Sequence, residues 1–242
     1  VWHAGIIGQG GEFLQETLAR SGVNTQLLTV SPHRCGHAMI QVTPHGQNSI
    51  IVYQGTNGEL QPEYLQAVLA QLAPQDVLLL QGETNLVAES IRAAHEKGIR
   101  VAFNAAPYQD EIRDYPLDKL TWLIVNEVEG GGLSGETNFE RIADALHEAY
   151  PQCGVMLTMG SAGCLYRDAR DTVRIPAFSV NAVDTTAAGD TFIGYFIRGM
   201  ADGLPVEQTL RLASMASAIA VTRPGAADSV PAYDEVLAAL QA

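Results

Sequence analysis

From Pro62 to Thr158 the chain alternates short apolar runs with amphipathic stretches of helical period, and few folds satisfy that alternation. Pro62 to Leu72 puts Leu65, Val68, Leu69 and Leu72 on one helical face, and Val77 to Gln81 then reads as a buried strand. Asn85 to Lys97 is the next helix, ended by Gly98, and Arg100 to Asn104 the next strand. Trp122 to Asn126 (strand), Asn138 to Tyr150 (helix) and Val155 to Thr158 (strand) continue the pattern. Strands alternating with helices predict a mostly parallel sheet covered by helices, with ligands at the carboxyl ends of the strands.

Two regions break the alternation. His37 to Val42 and Ser49 to Tyr53 flank Pro44-His45-Gly46-Gln47 and predict a β-hairpin, as do Cys164 to Arg167 and Thr172 to Ile175 around Asp168-Ala169-Arg170. The rest is helical, over about Ala188 to Asp202, Val206 to Val221 and Tyr233 to Leu240. With no repeat or linker, residues 1–242 read as one domain, long enough to bury a core without disulfides. Cysteines are odd in number, Cys35, Cys153 and Cys164, which favours a reducing cytoplasm. No apolar run reaches the roughly 18 residues of a membrane span. A formal charge of −13 without a basic block excludes nucleic acid as a partner. An acidic chain can still hold a phosphorylated small molecule on backbone N–H groups at helix starts.

The segment Asn181 to Phe196, NAVDTTAAGDTFIGYF, runs from a strand-like stretch into a helix and carries the chemistry. Ala187, Ala188 and Gly189 are small enough for N–H groups to approach an anion where the helix dipole favours negative charge. Asp190 falls in the first helical turn beside that anion hole, placed to take a proton from a hydroxyl attacking a phosphoryl group. Asp184 and Asp190 taken alone also fit plain helix capping.

The whole string DTTAAGDTF resembles the C-terminal signature of the ribokinase-like, or PfkB, carbohydrate kinases, and further motifs follow in the family's order. Asn126-Glu-Val-Glu129 is similar to its NxxE element, Thr158-Met-Gly-Ser-Ala-Gly163 to its nucleotide-binding strand and turn, and Asn104-Ala-Ala-Pro107 stands where relatives carry an Asn-Pro-Ala-Pro-like turn. Ala220 to Ser229, AVTRPGAADS, resembles the family's adenine and monovalent-cation loop. The resemblance implies a three-layer α/β/α fold with a small β lid over about residues 37–53. It makes Asp190 the general base, with the N–H groups of Ala188 and Gly189 as the anion hole, and assigns Asn126 and Glu129 to the Mg²⁺ and ATP phosphates. Thr158, Gly160, Ser161 and Gly163 would line the nucleotide, with Ser214 near the adenine. Asp184, Thr186, Ala220, Arg223, Gly225 and Ser229 would surround a potassium-like ion, an oxygen-lined site of the kind hard cations take. Glu83 aligns with a sugar-contacting position.

Other readings meet mechanical objections. Gly5-Ile-Ile-Gly8-Gln-Gly10-Gly11-Glu-Phe13 suggests a dinucleotide fingerprint, but its third glycine falls on Phe13 and no acidic residue ends the strand Gln26 to Val30. His33-x-Cys35-x-His37, with His45 nearby, matches no usual zinc spacing and reads as lid and loop residues. GxxxxGK[ST] and GxSxG are both absent. Gly130-Gly131-Gly132 reads as a flexible turn after Glu129.

Family members normally begin with a further strand and a Gly-Gly-rich, sugar-binding element of the GGKGAN kind, and nothing similar precedes Val1. The expectation is a fold whose N-terminal strand is missing from these residues, the other reading being a shortened relative. The expected activity is transfer of the γ-phosphate of ATP to a sugar hydroxyl, with ribose as first choice because DTTAAGDTF and VTRPGA lie nearest the ribokinase branch. A nucleoside kinase of the same fold and a non-catalytic nucleotide-binding protein are the alternatives. An isolated lid hairpin has exposed edges, which predicts pairing into a homodimer.

Overall fold

The chain opens with a parallel unit, strand β1 (Trp2–Gln9), helix α1 (Glu12–Arg20) and strand β2 (Asn24–Arg34). The computed structural model describes residues 1–42 and 48–241. Strands β3 (His37–Val42) and β4 (Asn48–Tyr53) pair antiparallel, from His37 against Tyr53 to Val42 against Asn48, as the sequence predicts. The expected turn Pro44 to Gln47 lies outside the described residues. A 3-10 turn (Gly55–Gly58) and helix α2 (Pro62–Leu69) follow. Both tie back to β1: Thr56 Oγ1 donates to the Ile6 carbonyl at 2.8 Å, and the Tyr64 hydroxyl reaches the carbonyls of Gly5 and Leu27.

The main sheet has six strands in the order β10-β9-β8-β7-β6-β5. Strands β5 (Val77–Gln81), β6 (Arg100–Asn104), β7 (Trp122–Asn126) and β8 (Gly154–Thr158) run parallel. The hairpin β9 (Cys164–Arg167) and β10 (Thr172–Ile175) extends it antiparallel. Helix α3 (Val87–Glu96) lies between β5 and β6, and α4 (Glu127–Ser134) and α5 (Phe139–Ala149) lie between β7 and β8. Helices α6 (Ala188–Ala201), α7 (Val206–Ala220) and α8 (Tyr233–Gln241) complete the chain. The expected mostly parallel sheet is present as this ladder with β5 at its edge, and β1 and β2 form a separate parallel pair.

Strand alternation separates two cores. Val101, Phe103, Leu123, Val125, Val155 and Leu157 face one way, against α3 and α5. Ala102, Trp122, Ile124 and Met156 face the other way, against Phe192 and Phe196 of α6 and Leu210 and Ala213 of α7. This produces three layers. Phe196, fully buried, meets the Trp122 ring edge-on at 6.2 Å, a contact of about 0.5–1.5 kcal/mol beyond the area it buries. The same packing fixes the height of α6 against the strand ends.

Gly130, Gly131 and Gly132 correct the turn expected there: all three lie inside α4. Three glycines cost a helix roughly 3 kcal/mol relative to alanines. Packing overrides that cost. A Cβ on Gly130 would sit 2.7 Å from Ile142 Cγ2, and one on Gly132 within 2.6–2.8 Å of the Tyr108 ring, so only glycine lets α4 lie this close.

Candidate active site

Parallel strands end together, and β5 to β8 bring Gln81, Asn104, Asn126 and Thr158 to one rim. Opposite them stands the start of α6. Between lies a cleft of about 280 Å³, lined also by Glu83, Glu129, Ala188, Gly189 and Asp190.

Ala187, the N-cap of α6, holds φ 58° and ψ 13°, a left-handed conformation that costs a non-glycine residue about 1–2 kcal/mol. The chain turns sharply there, so that Asp190 lies in the first turn and at the cleft wall. Ser217 Oγ on α7 donates to the Ala188 carbonyl at 3.0 Å and anchors that turn. Of the N–H groups of Ala188 and Gly189, only the second is left without a backbone partner. Ala188 N–H closes on the Thr185 carbonyl at 3.2 Å, so the donors that helix geometry leaves without an intrahelical acceptor are those of Gly189 and Asp190. Gly189 is exposed, and a Cβ there would meet nothing within 4 Å, so the cleft wall is open at this residue.

Asn126 caps α4. Its side-chain oxygen accepts from the N–H groups of Val128 (2.8 Å) and Glu129 (3.0 Å), while Glu129 accepts from the Asn126 N–H (2.8 Å) and Nδ2 (2.9 Å). The capping box holds the Glu129 carboxyl, only 6% exposed, beside the cleft. Burial pushes that carboxyl above the ordinary carboxylate range; the Asn126 hydrogen bonds oppose the rise, and Glu127 and Glu83 add to it.

Glu83 is carried by the turn after β5. Gly82 N–H donates to the Ala106 carbonyl at 2.9 Å, where a Cβ would also approach to 2.9 Å, so the Asn104 to Pro107 turn sets where Glu83 emerges. Partial desolvation raises the Glu83 carboxyl, its own backbone N–H opposes this, and the Asp190 charge adds to the rise. Gln81 is a residue the sequence reading missed. Its Nε2 lies 3.5 Å from Asp190 Oδ1. The local signal was slight: a polar residue at the carboxyl end of the run Val77-Leu-Leu-Leu80.

Asp184 stands outside the cleft and organises a second loop. It accepts from Thr186 N–H (2.9 Å) and Gly225 N–H (3.0 Å), while the N–H groups of Val183 and Asp184 reach the Val221 carbonyl. The donors of Thr186 and then Gly225 lower its carboxyl below the usual range. Segments 183–186 and 221–225 are thereby laced together. Arg223 turns its guanidinium to Glu235, and Ser229, fully buried, gives its hydroxyl to the Ala226 carbonyl at 2.7 Å. Ala220 is buried at the end of α7.

Past Thr158 the chain enters a 3-10 turn, Gly160 to Ala162, with Gly160 at φ 52° and Gly163 at φ 95°. Ser161 is exposed on this turn. Ser214 does not reach the cleft: it is buried on α7, with Oγ 3.6 Å from Cys164 Sγ. His33, Cys35 and His37 do not converge. His33 Nδ1 lies 2.7 Å from Glu59 Oε1, the Cys35 thiol is buried, and His37 Nδ1 lies 3.0 Å from the Cys35 carbonyl. Among the described residues no metal-ligating cluster occurs, and His45 lies outside them. No helix is long and apolar enough to cross a membrane among the described residues.

Residues 1–233 match the pfkB family of carbohydrate kinases. The chain is 33% identical over 239 residues to the ribokinase of Haemophilus influenzae, covering 96% of this chain and 78% of that protein. The ribokinase of Cryptococcus neoformans in complex with ADP superposes with a TM-score of 0.87 at 31% identity, covering 99% of this chain and 82% of that one. Arabidopsis thaliana ribokinase complexed with ribose and ATP gives a TM-score of 0.87 at 28% identity, with coverages of 100% and 82%.

Proposed function

The chain belongs to the pfkB family of carbohydrate kinases, and from that premise we propose that its cleft transfers the γ-phosphate of ATP to a hydroxyl of ribose. Phosphotransfer to a sugar hydroxyl is the family's chemistry, and ribose follows from the ribokinases among its relatives. The observation that carries the reading is Asp190, set in the first turn of α6 beside the open N–H groups of Gly189 and Asp190.

Asp190 takes the proton of the attacking hydroxyl as its oxygen bonds to the γ-phosphorus and the bond to the β-bridging oxygen breaks. The N–H groups at the helix start hold the phosphoryl oxygens, aided by the helix dipole. Gln81 keeps the Asp190 carboxylate turned to the cleft, and Glu83 accepts a hydroxyl of the sugar. Thr158 and the turn through Gly160, Ser161 and Gly163 support the nucleotide.

The cleft presents the carboxylates of Glu83, Glu129 and Asp190, with no Lys or Arg among its lining residues. A triphosphate enters such a site only with a cation. The buried Glu129 carboxyl and the Asn126 amide are hard oxygen donors that fit Mg²⁺, which when bound neutralises charge on the phosphates. The laced loop of Asp184, Thr186, Ala220, Arg223, Gly225 and Ser229 fits a potassium ion held largely by backbone carbonyls, the Arg223 side chain being engaged elsewhere. Met39 and Ile51, opposite one another on the lid and each 53% exposed, form an apolar face suited to a second copy of the chain. Unpaired buried thiols favour a cytoplasmic setting.

The test is ATP-dependent phosphorylation across pentoses, hexoses and nucleosides with Mg²⁺, with and without K⁺, comparing the chain with Asp190→Asn. Turnover on ribose that the variant loses while still binding nucleotide is the expected result. Turnover confined to nucleosides, or equal turnover by the variant, overturns the reading.

A further inference from the structure

Helix α4 presents Glu129 to the cleft, yet its sequence Glu-Val-Glu-Gly-Gly-Gly-Leu-Ser is a poor helix former. The capping box secures only its first turn. One turn beyond Glu129 stands the Gly132 carbonyl, among the last four of the helix, which lack intrahelical donors. The N–H of Glu136, its ordinary partner, turns instead to Ser134 Oγ at 3.2 Å.

Two side chains from the segment after β6 take that carbonyl. The Tyr108 hydroxyl lies 3.0 Å from it and the Arg113 guanidinium also donates to it, while Arg113 Nε donates to the Tyr108 oxygen at 2.9 Å. The Tyr108 hydroxyl is shared between two acceptors, since Asp110 Oδ1, on a side chain 91% exposed, also lies 3.0 Å from it, whereas the Arg113 guanidinium is committed to Gly132. The Tyr108 ring fills the space a Gly132 side chain would need. A cation at a helix C-terminus is also favoured by the dipole.

We propose that Tyr108 and Arg113 are positioning residues for nucleotide binding: they clamp α4 at Gly132 and thereby hold Glu129 and Asn126 where Mg·ATP is received. The inference rests on the kinase reading above, and nothing in the motifs around the site indicated it. Groups that support a cation-binding residue from behind typically change affinity by about 10–100-fold.

Calorimetric binding of a non-hydrolysable ATP analogue with Mg²⁺ tests it on the wild type, Tyr108→Phe, Arg113→Met, the double variant and Arg113→Lys. Expected is a Kd about tenfold weaker in the double variant. The Mg²⁺ requirement rises, α4 amides exchange faster, and KM for the sugar stays unchanged. Arg113→Lys, which still brings a donor cation to Gly132, recovers most of the loss seen in Arg113→Met. Tyr108→Phe keeps the ring against Gly132, so it remains decisive if the double variant does not fold. A lower Tm with wild-type Kd and Mg²⁺ dependence makes the clamp structural only and overturns the inference alone. Failure of the wild type to bind the analogue overturns the kinase reading and this inference with it.

Discussion

Asn126→Asp separates the geometry of the capping box from capping in general. As helix N-caps the two residues are equivalent, so capping alone predicts no loss. Here Asn126 Nδ2 also donates to Glu129 Oε1 at 2.9 Å, and the substitution replaces that donor with a second acceptor carrying charge. Two full charges about 4 Å apart repel by about 4 kcal/mol at an effective dielectric of about 20. Protonation limits the penalty, at about 1.4 kcal/mol per unit of pH. The Glu129 carboxyl is already raised by burial, and the substitution raises it further. A carboxyl raised on folding contributes stability that is complete below its unfolded value and is lost as pH climbs through its folded value. The loss in Asn126→Asp therefore grows with pH, larger near pH 8.5 than near pH 5.5 and bounded by that repulsion of about 4 kcal/mol. Urea titrations of both proteins at the two pH values read this directly. A variant as stable as the wild type near pH 8.5, or an equal loss at both values, refutes the coupling between Asn126 and Glu129.

Gly163→Ala places a Cβ 2.0 Å from the Ile175 carbonyl oxygen at φ 95°; because that neighbour is backbone, a loss of about 2–4 kcal/mol in urea unfolding is expected, and an unchanged midpoint refutes it. Cys35, Cys153 and Cys164 are buried, and burial pushes the Cys153 thiol up to about 12. A disulfide reagent near pH 8 should therefore release no thiol from the native chain and three after unfolding, and rapid release from the native chain would contradict the packing. Glu83→Gln should raise KM for the sugar about tenfold while leaving nucleotide affinity unchanged, the expected effect of weakening one hydrogen bond to a charged group. An unchanged sugar KM removes Glu83 from the acceptor site.

The alternation of apolar and amphipathic segments determined the parallel strands β5 to β8 and their covering helices, because strand and helix periods are written in consecutive residues. DTTAAGDTF placed Asp190 at a helix start for the same reason: small residues, then a carboxylate, form a local instruction. Tertiary structure decided the remainder. Gly130 to Gly132 read locally as a turn, yet they form a helix because Ile142 and the Tyr108 ring occupy the space side chains would take. Ala188 N–H reads as an anion donor until the turn at Ala187 sends it to Thr185. Gln81 meets Asp190 across 109 residues, and Tyr108 meets Gly132 across 24. Ser214 turns to Cys164 across 50 residues rather than toward the cleft. Local patterning specifies which elements form, since propensity and period act over a few residues. Which side chains converge depends on how the two cores set the heights and angles of those elements, and no window along the chain encodes that.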